Sequence, residues 1–96
     1  MIQVANLKEL VDLSGLTPTE IAEIRLKTQI VAELLAARKG AGITQQELDE
    51  ISGIKQPFIA RIEKGRVDPQ ITTILRLLEP LGKTLAVVSK EQVLND

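Results

Sequence analysis

The sequence predicts an all-α fold: a five-helix domain with an N-terminal helical extension and one short C-terminal strand. Three observations predict it. Apolar residues recur at three- and four-residue spacing along most of the 96 residues. Helix-start signals at Thr17-Pro18, Thr44 and Asp68-Pro69 are each followed by a later glycine or proline stop. A single run, Thr84 to Val88, has the β-branched, turn-bounded character of a strand. The length suits one domain whose modest core gains from dimerisation.

Each element has its own signal. Val4, Leu7, Leu10 and Val11 form a helical face that Asn6 caps and Gly15 stops. Thr17 is an N-cap, Pro18 takes the tolerated first position, and Glu20 completes a capping box. Ile21, Ile24, Val31, Leu34 and Leu35 carry that helix to Lys39, before Gly40 and Gly42. Thr44 and Glu47 form a second capping box, with Leu48 and Ile51 expected inward and Gly53 closing two turns. Phe58, Ile59 and Ile62 mark another short helix ending at Gly65. Asp68 and Pro69 should open the last helix, with Ile71, Ile74, Leu75 and Leu78 on its face. Pro80 must distort or end it.

Beyond Gly82, a lone strand cannot satisfy its own backbone groups. The expected partner is the same strand of a second copy, with Leu85, Ala86, Val87 and Val88 forming an antiparallel ribbon in a homodimer. An extended tail lying on its own domain is the alternative. The chain thus divides into an extension (1–16), a helical domain (17–82) and a dimerisation strand and tail (83–96).

Composition excludes several function classes. There is no Cys and no His, so disulfides, thiolate nucleophiles, imidazole bases and zinc fingers are ruled out. No metal, cofactor or small-molecule ligand is expected, and the carboxylates and lysines form no recognisable acid–base pair, so an enzyme is not expected. Phe58 is the only aromatic residue, too few for base-stacking platforms. No apolar run approaches the roughly 20 residues of a membrane span, and no signal peptide is seen; a cytoplasmic protein without membrane contact is expected.

The formal charge is −1, but its distribution is uneven. Over residues 1–24, Lys8 stands alone against Glu9, Asp12, Glu20 and Glu23. Over residues 55–66, Lys55, Arg61, Lys64 and Arg66 face only Glu63. The acidic end suits a basic partner and equally suits a solvated surface; the basic segment suits phosphates.

Residues 44–65 are the informative stretch: short helix, glycine turn, short helix. Helices this short are marginal alone, and make sense if the second is presented at the surface and aimed. A helix-turn-helix does this, placing the start of its second helix in the major groove of double-stranded DNA. Lys55 and Gln56 lie at that start, and Arg61 follows on the same outward face. Gln suits adenine, and Arg or Lys suits guanine. Gln45 lies in the first turn of the preceding helix, where unpaired N–H groups favour phosphate. Lys64 and Arg66 suit backbone contact, although cations are favoured near a helix C-terminus in any case.

The stretch GITQQELDEISGIKQPFIARIEKGRVDPQITTILRLLEPLGKTL, residues 42–85, resembles the Xre/phage-repressor class of lambda-repressor-like domains. The resemblance implies phosphate contact near Thr44 and Gln45, and base readout from Gln56, Pro57 and Arg61. It also implies a structural ion pair between Arg38 and Glu63. Pro57 departs from the class, offering only apolar contact where a polar reader is common, and Pro80 interrupts the usual last turn.

The extension, IVAELLAARKGAGIT (30–44) and LGKTLAVV (81–88) are together most similar to the HigA antitoxins of type II toxin–antitoxin operons. That likeness implies a HigB-type, RelE-fold messenger-RNA-cleaving toxin as partner and repression of the protein's own operon. Leu7, Glu9, Leu10, Asp12, Glu20 and Glu23 are then the candidate toxin-binding residues. A stand-alone Xre-family repressor without a toxin is the alternative. A two-fold dimer should read half-sites about 34–36 Å apart.

Overall fold

The computed structural model describes residues 15–91. Those residues form four α-helices, α1 (Pro18–Gly40), α2 (Gln45–Ser52), α3 (Gln56–Glu63) and α4 (Ile71–Leu78), and a closing 3-10 turn, Glu79–Leu81. The expected helix at Asn6–Gly15 falls almost entirely outside the described residues, as do Leu7, Glu9, Leu10 and Asp12.

The two Thr-headed helices start where their caps dictate. Thr17 Oγ1 accepts from the Glu20 N–H at 3.1 Å, and Glu20 Oε1 accepts from the Thr17 N–H at 3.0 Å. Thr44 and Glu47 repeat the reciprocal pair at 3.0 Å each way. Each box satisfies two backbone donors that an open helix end would leave bare. The pair draws the Glu20 carboxyl below its ordinary value of 4.5, the bonds to Thr17 being the cause.

Leu34, Leu48, Ile59, Ile62, Ile74, Leu77 and Leu78 form the core, drawn from all four helices. Each such side chain contributes about 1.5–3 kcal/mol by leaving water. Ile30, Val31, Phe58, Leu81 and Leu85 pack around them, half-buried. The second half of α1 supplies the core contacts. Its first half buries Ile21, outside that cluster, and leaves Ile24 and Leu26 exposed at 52% and 59%.

Several expectations need correction. The described residues hold four α-helices where five were expected, the fifth being the Asn6–Gly15 helix that lies almost entirely outside them, and after Leu78 the chain tightens into 3-10 geometry. Pro80 has no N–H to extend the α-helical ladder, and Gly82 then turns the chain at φ +73°. Helix α4 begins at Ile71 with Gln70 as its N-cap, two residues later than the Asp68-Pro69 signal suggests. The Asp68 carboxylate instead faces Lys27 Nζ of α1 at 3.7 Å. Ile51 and Ile71, expected inward, are 55% and 70% exposed, while Leu77 is fully buried.

Residues 83–89 carry no regular secondary structure, where a strand was expected. A strand is defined by its ladder, and no described segment of the same chain lies alongside to supply one. Leu85 turns inward against the core, whereas Val87 is fully exposed and Val88 is 52% exposed. Among the described residues, no helix is long and apolar enough to cross a membrane.

Candidate nucleic-acid interface

The turn between α2 and α3 sets the pose of the second helix. Gly53 adopts φ +78°, a left-handed conformation that side chains resist, and its N–H donates to the Asp49 carbonyl at 2.8 Å. Ser52 Oγ accepts from the Ile54 N–H at 3.1 Å. Asp49 Oδ2 accepts from the Gln56 N–H at 2.7 Å. An acid on α2 thus satisfies the first amide of α3, whose own N-cap, Lys55, makes no side-chain cap. Pro57 has no amide to satisfy, and the Phe58 N–H donates to the Lys55 carbonyl. Asp49 escaped the sequence reading because its partner lies seven residues ahead, beyond any capping pattern.

Four polar side chains from three helices form one hydrogen-bonded chain. Arg38 of α1 donates through Nε to Glu63 Oε2 at 2.7 Å and through Nη2 to Glu63 Oε1 at 3.0 Å. Its Nη1 donates to the Ile43 carbonyl at 2.8 Å. Gln45 Nε2 donates to Glu63 Oε1 at 2.7 Å, and Gln56 Nε2 donates to Gln45 Oε1 at 2.8 Å. The Arg38 and Glu63 side chains are only 11% and 6% exposed. Glu63 raises the Arg38 pKa, chiefly by accepting its hydrogen bonds, so the guanidinium is a permanent cation.

The polarity of this chain follows from chemistry. Arginine only donates and a carboxylate only accepts. Gln45 must therefore turn its N–H toward Glu63, which leaves its oxygen for Gln56. Gln56 in turn must donate, keeping one N–H and its carbonyl oxygen for an outside partner. That is the pair of groups that matches adenine N7 and N6 in the major groove. A buried ion pair between α1 and α3 thereby fixes the orientation of an amide at the start of α3.

The remaining candidates are placed as follows. Thr44 is exposed; its oxygen accepts within the capping box, and its hydroxyl hydrogen remains to donate. The backbone N–H groups of Gln45 and Gln46 have no acceptor among the described residues, as befits the first turn of α2. Lys55, Pro57, Arg61, Lys64 and Arg66 are all exposed. The Arg61 guanidinium carbon lies 5.7 Å from the centroid of the Phe58 ring. Glu20 and Glu23 are exposed on the first half of α1.

A separate groove of about 490 Å³ runs beside that half-helix. Glu23, Ile24, Leu26 and Lys27 form one wall, with Pro69 and Ile71 among the residues opposite. None of the candidate DNA-contacting residues lines it. The described residues bring together no cluster of His, Cys, Asp or Glu fit to hold a metal ion.

Comparison with known proteins agrees with this geometry. A family model described as helix-turn-helix matches residues 34–88. A Haemophilus influenzae protein named as an uncharacterized HTH-type transcriptional regulator is 52% identical over 69 residues, covering 72% of this chain and 70% of that protein. Antitoxin HigA1 of Mycobacterium tuberculosis is 29% identical over 68 residues, spanning 71% of this chain and 46% of its own length. A solved structure described as a toxin–antitoxin module from Streptococcus pneumoniae is similar at TM-score 0.69 and 42% identity. That match covers 91% of this chain and 96% of the other.

Proposed function

Because this chain belongs to the helix-turn-helix family, we propose that it is an antitoxin with two surfaces: one represses its own operon, the other neutralises a toxin. The carrying observation is the chain Arg38–Glu63–Gln45–Gln56, which holds a base-reading amide at the head of α3. Gln56 and Arg61 read base edges, Pro57 adds apolar contact, and Thr44, Gln45, Lys55, Lys64 and Arg66 grip phosphates. Residues 1–16 and the start of α1, with Glu20 and Glu23, form the toxin-binding part. Residues 17–82 form the DNA-binding domain, and residues 83–96 supply dimer contacts through Leu85, Ala86, Val87 and Val88.

The antitoxin reading draws support from the likeness to antitoxin HigA1 and to the toxin–antitoxin module. The first half of α1, which exposes Ile24 and Leu26 and shares no residue with the α2–α3 surface, supports a second partner. A basic HigB-type, RelE-fold messenger-RNA-cleaving nuclease suits the acidic residues there, since opposite charge steers encounter. Both partners place the protein's work in the cytoplasm.

The test is co-expression of the tagged chain with the reading frames flanking its gene. Co-purification of a small basic protein that arrests growth alone, with rescue by this chain, is the expected result. Gln56→Ala should keep that rescue while weakening operator binding and relaxing its specificity. If no neighbour is toxic and nothing co-purifies, the chain is a stand-alone repressor, the reading its HTH-type regulator relative favours.

A further inference from the structure

Arg38 and Arg61 show two ways of holding a guanidinium. Arg38 gives its donors to Glu63 and the Ile43 carbonyl, and little is left for a partner. Arg61 is exposed, forms no ion pair among the described residues, and instead lies over the face of Phe58 at 5.7 Å. The two are three residues apart on α3, where a helical side chain leans back over the preceding turn. Phe58 is itself held, half-buried against the core. A ring face attracts a cation without using a single N–H, so the planar fork of donors stays available.

We propose that Phe58, the only aromatic residue of the chain, is a positioning residue for DNA readout: its ring sets the pose in which Arg61 meets a guanine. The idea rests on the DNA-binding function proposed above. Free arginine side chains carry large rotamer entropy that must be lost on binding. A ring fixed by the core removes part of that loss beforehand and favours one approach to the O6 and N7 edge. Phe58 thereby affects specificity without touching the base.

The test is a double-mutant cycle of Phe58→Leu and Arg61→Ala, on a duplex that the wild-type protein selects from a random library. Phe58→Leu should weaken binding to that duplex about two- to five-fold, the range of an exposed cation–ring contact. It should also flatten discrimination at one base pair and leave the salt slope unchanged, since no phosphate contact is lost. The loss should largely vanish in the Arg61→Ala background, and Phe58→Tyr should bind as the wild type does. In the DNA-free protein, the upfield ring-current shift of the Arg61 side-chain protons should disappear in Phe58→Leu. Equal, sequence-independent weakening in both Arg61 backgrounds would overturn the proposal and make Phe58 a core residue only. If the wild-type protein selects no sequence at all while the ring-current shift is present, the DNA-binding reading fails instead.

Discussion

Replacing Glu63 by Ala removes the acceptor of three hydrogen bonds, two from Arg38 and one from Gln45. Arg38 then keeps only its bond to the Ile43 carbonyl and is left as a largely buried, unpaired cation. Breaking a buried pair from one side costs about 3–5 kcal/mol. Both side chains retain some solvent contact, 11% and 6%, so the lower end, about 3 kcal/mol, is expected. Whole domains are stable by only about 5–15 kcal/mol, so this is a large fraction. For a chain of this size the midpoint of thermal unfolding should fall by roughly 12–24 °C. Urea unfolding followed by far-ultraviolet circular dichroism suits the assay, because the chain has no Trp or Tyr. The slope m should stay constant, placing the change in stability rather than in the unfolded state. Replacing both partners, Arg38→Met with Glu63→Leu, should recover most of the loss. A loss below about 1 kcal/mol for Glu63→Ala would refute the view of this pair as a buried buckle.

Three further outcomes are expected. Gly53→Ala should destabilise the domain by about 1–2 kcal/mol in urea titrations, from its φ of +78° alone, because nothing lies within 4 Å of the added carbon; a neutral result would mean the turn relaxes freely. The Glu20 carboxyl titrates below 4.5 when folded, so its capping contribution is complete above that pH and is lost as pH falls through the lowered value. Amide exchange in the first turn of α1 should show this loss in the wild type and not in Glu20→Gln; matching profiles would assign the acid sensitivity elsewhere. Val87→Asp should shift sedimentation from dimer to monomer without lowering helix content, and a persistent dimer would move the interface away from residues 85–88.

The parts of the fold legible in the sequence were those governed by local chemistry. Thr17 with Glu20 and Thr44 with Glu47 announce α1 and α2 because a cap involves residues three apart. Gly53 marks the turn because few other residues accept its conformation. The illegible parts depend on distant partners. Asp68 reads as a cap, yet α4 is capped two residues later by Gln70, and the Asp68 carboxylate faces Lys27, far back in α1. Ile51, at the last turn of α2, and Ile71, at the first residue of α4, fit an inward face by spacing but lie at helix ends, where the core no longer covers them. Within the candidate site, Gln45 and Gln56 could be named from residue type and position. The hydrogen bonds joining them to Glu63, and the role of Asp49, needed three helices placed in space. Thr84 to Val88 reads as a strand by residue type, but a strand needs a second segment alongside, and no described segment pairs with it.

The most direct test of Gln56 as a base reader is quantitative DNA binding by the wild type and Gln56→Ala, across a range of salt, on a library-selected duplex and on single-base variants of it. The wild type should select a two-fold-related site with half-sites about 34–36 Å apart, with affinity that falls steeply with salt. Gln56→Ala should lose about 1–3 kcal/mol of discrimination at one A·T pair per half-site, with the salt slope unchanged. Equal affinity of the wild type for all duplexes, or unaltered discrimination in Gln56→Ala, would contradict the claim that the Arg38–Glu63–Gln45–Gln56 chain aims a base-reading amide.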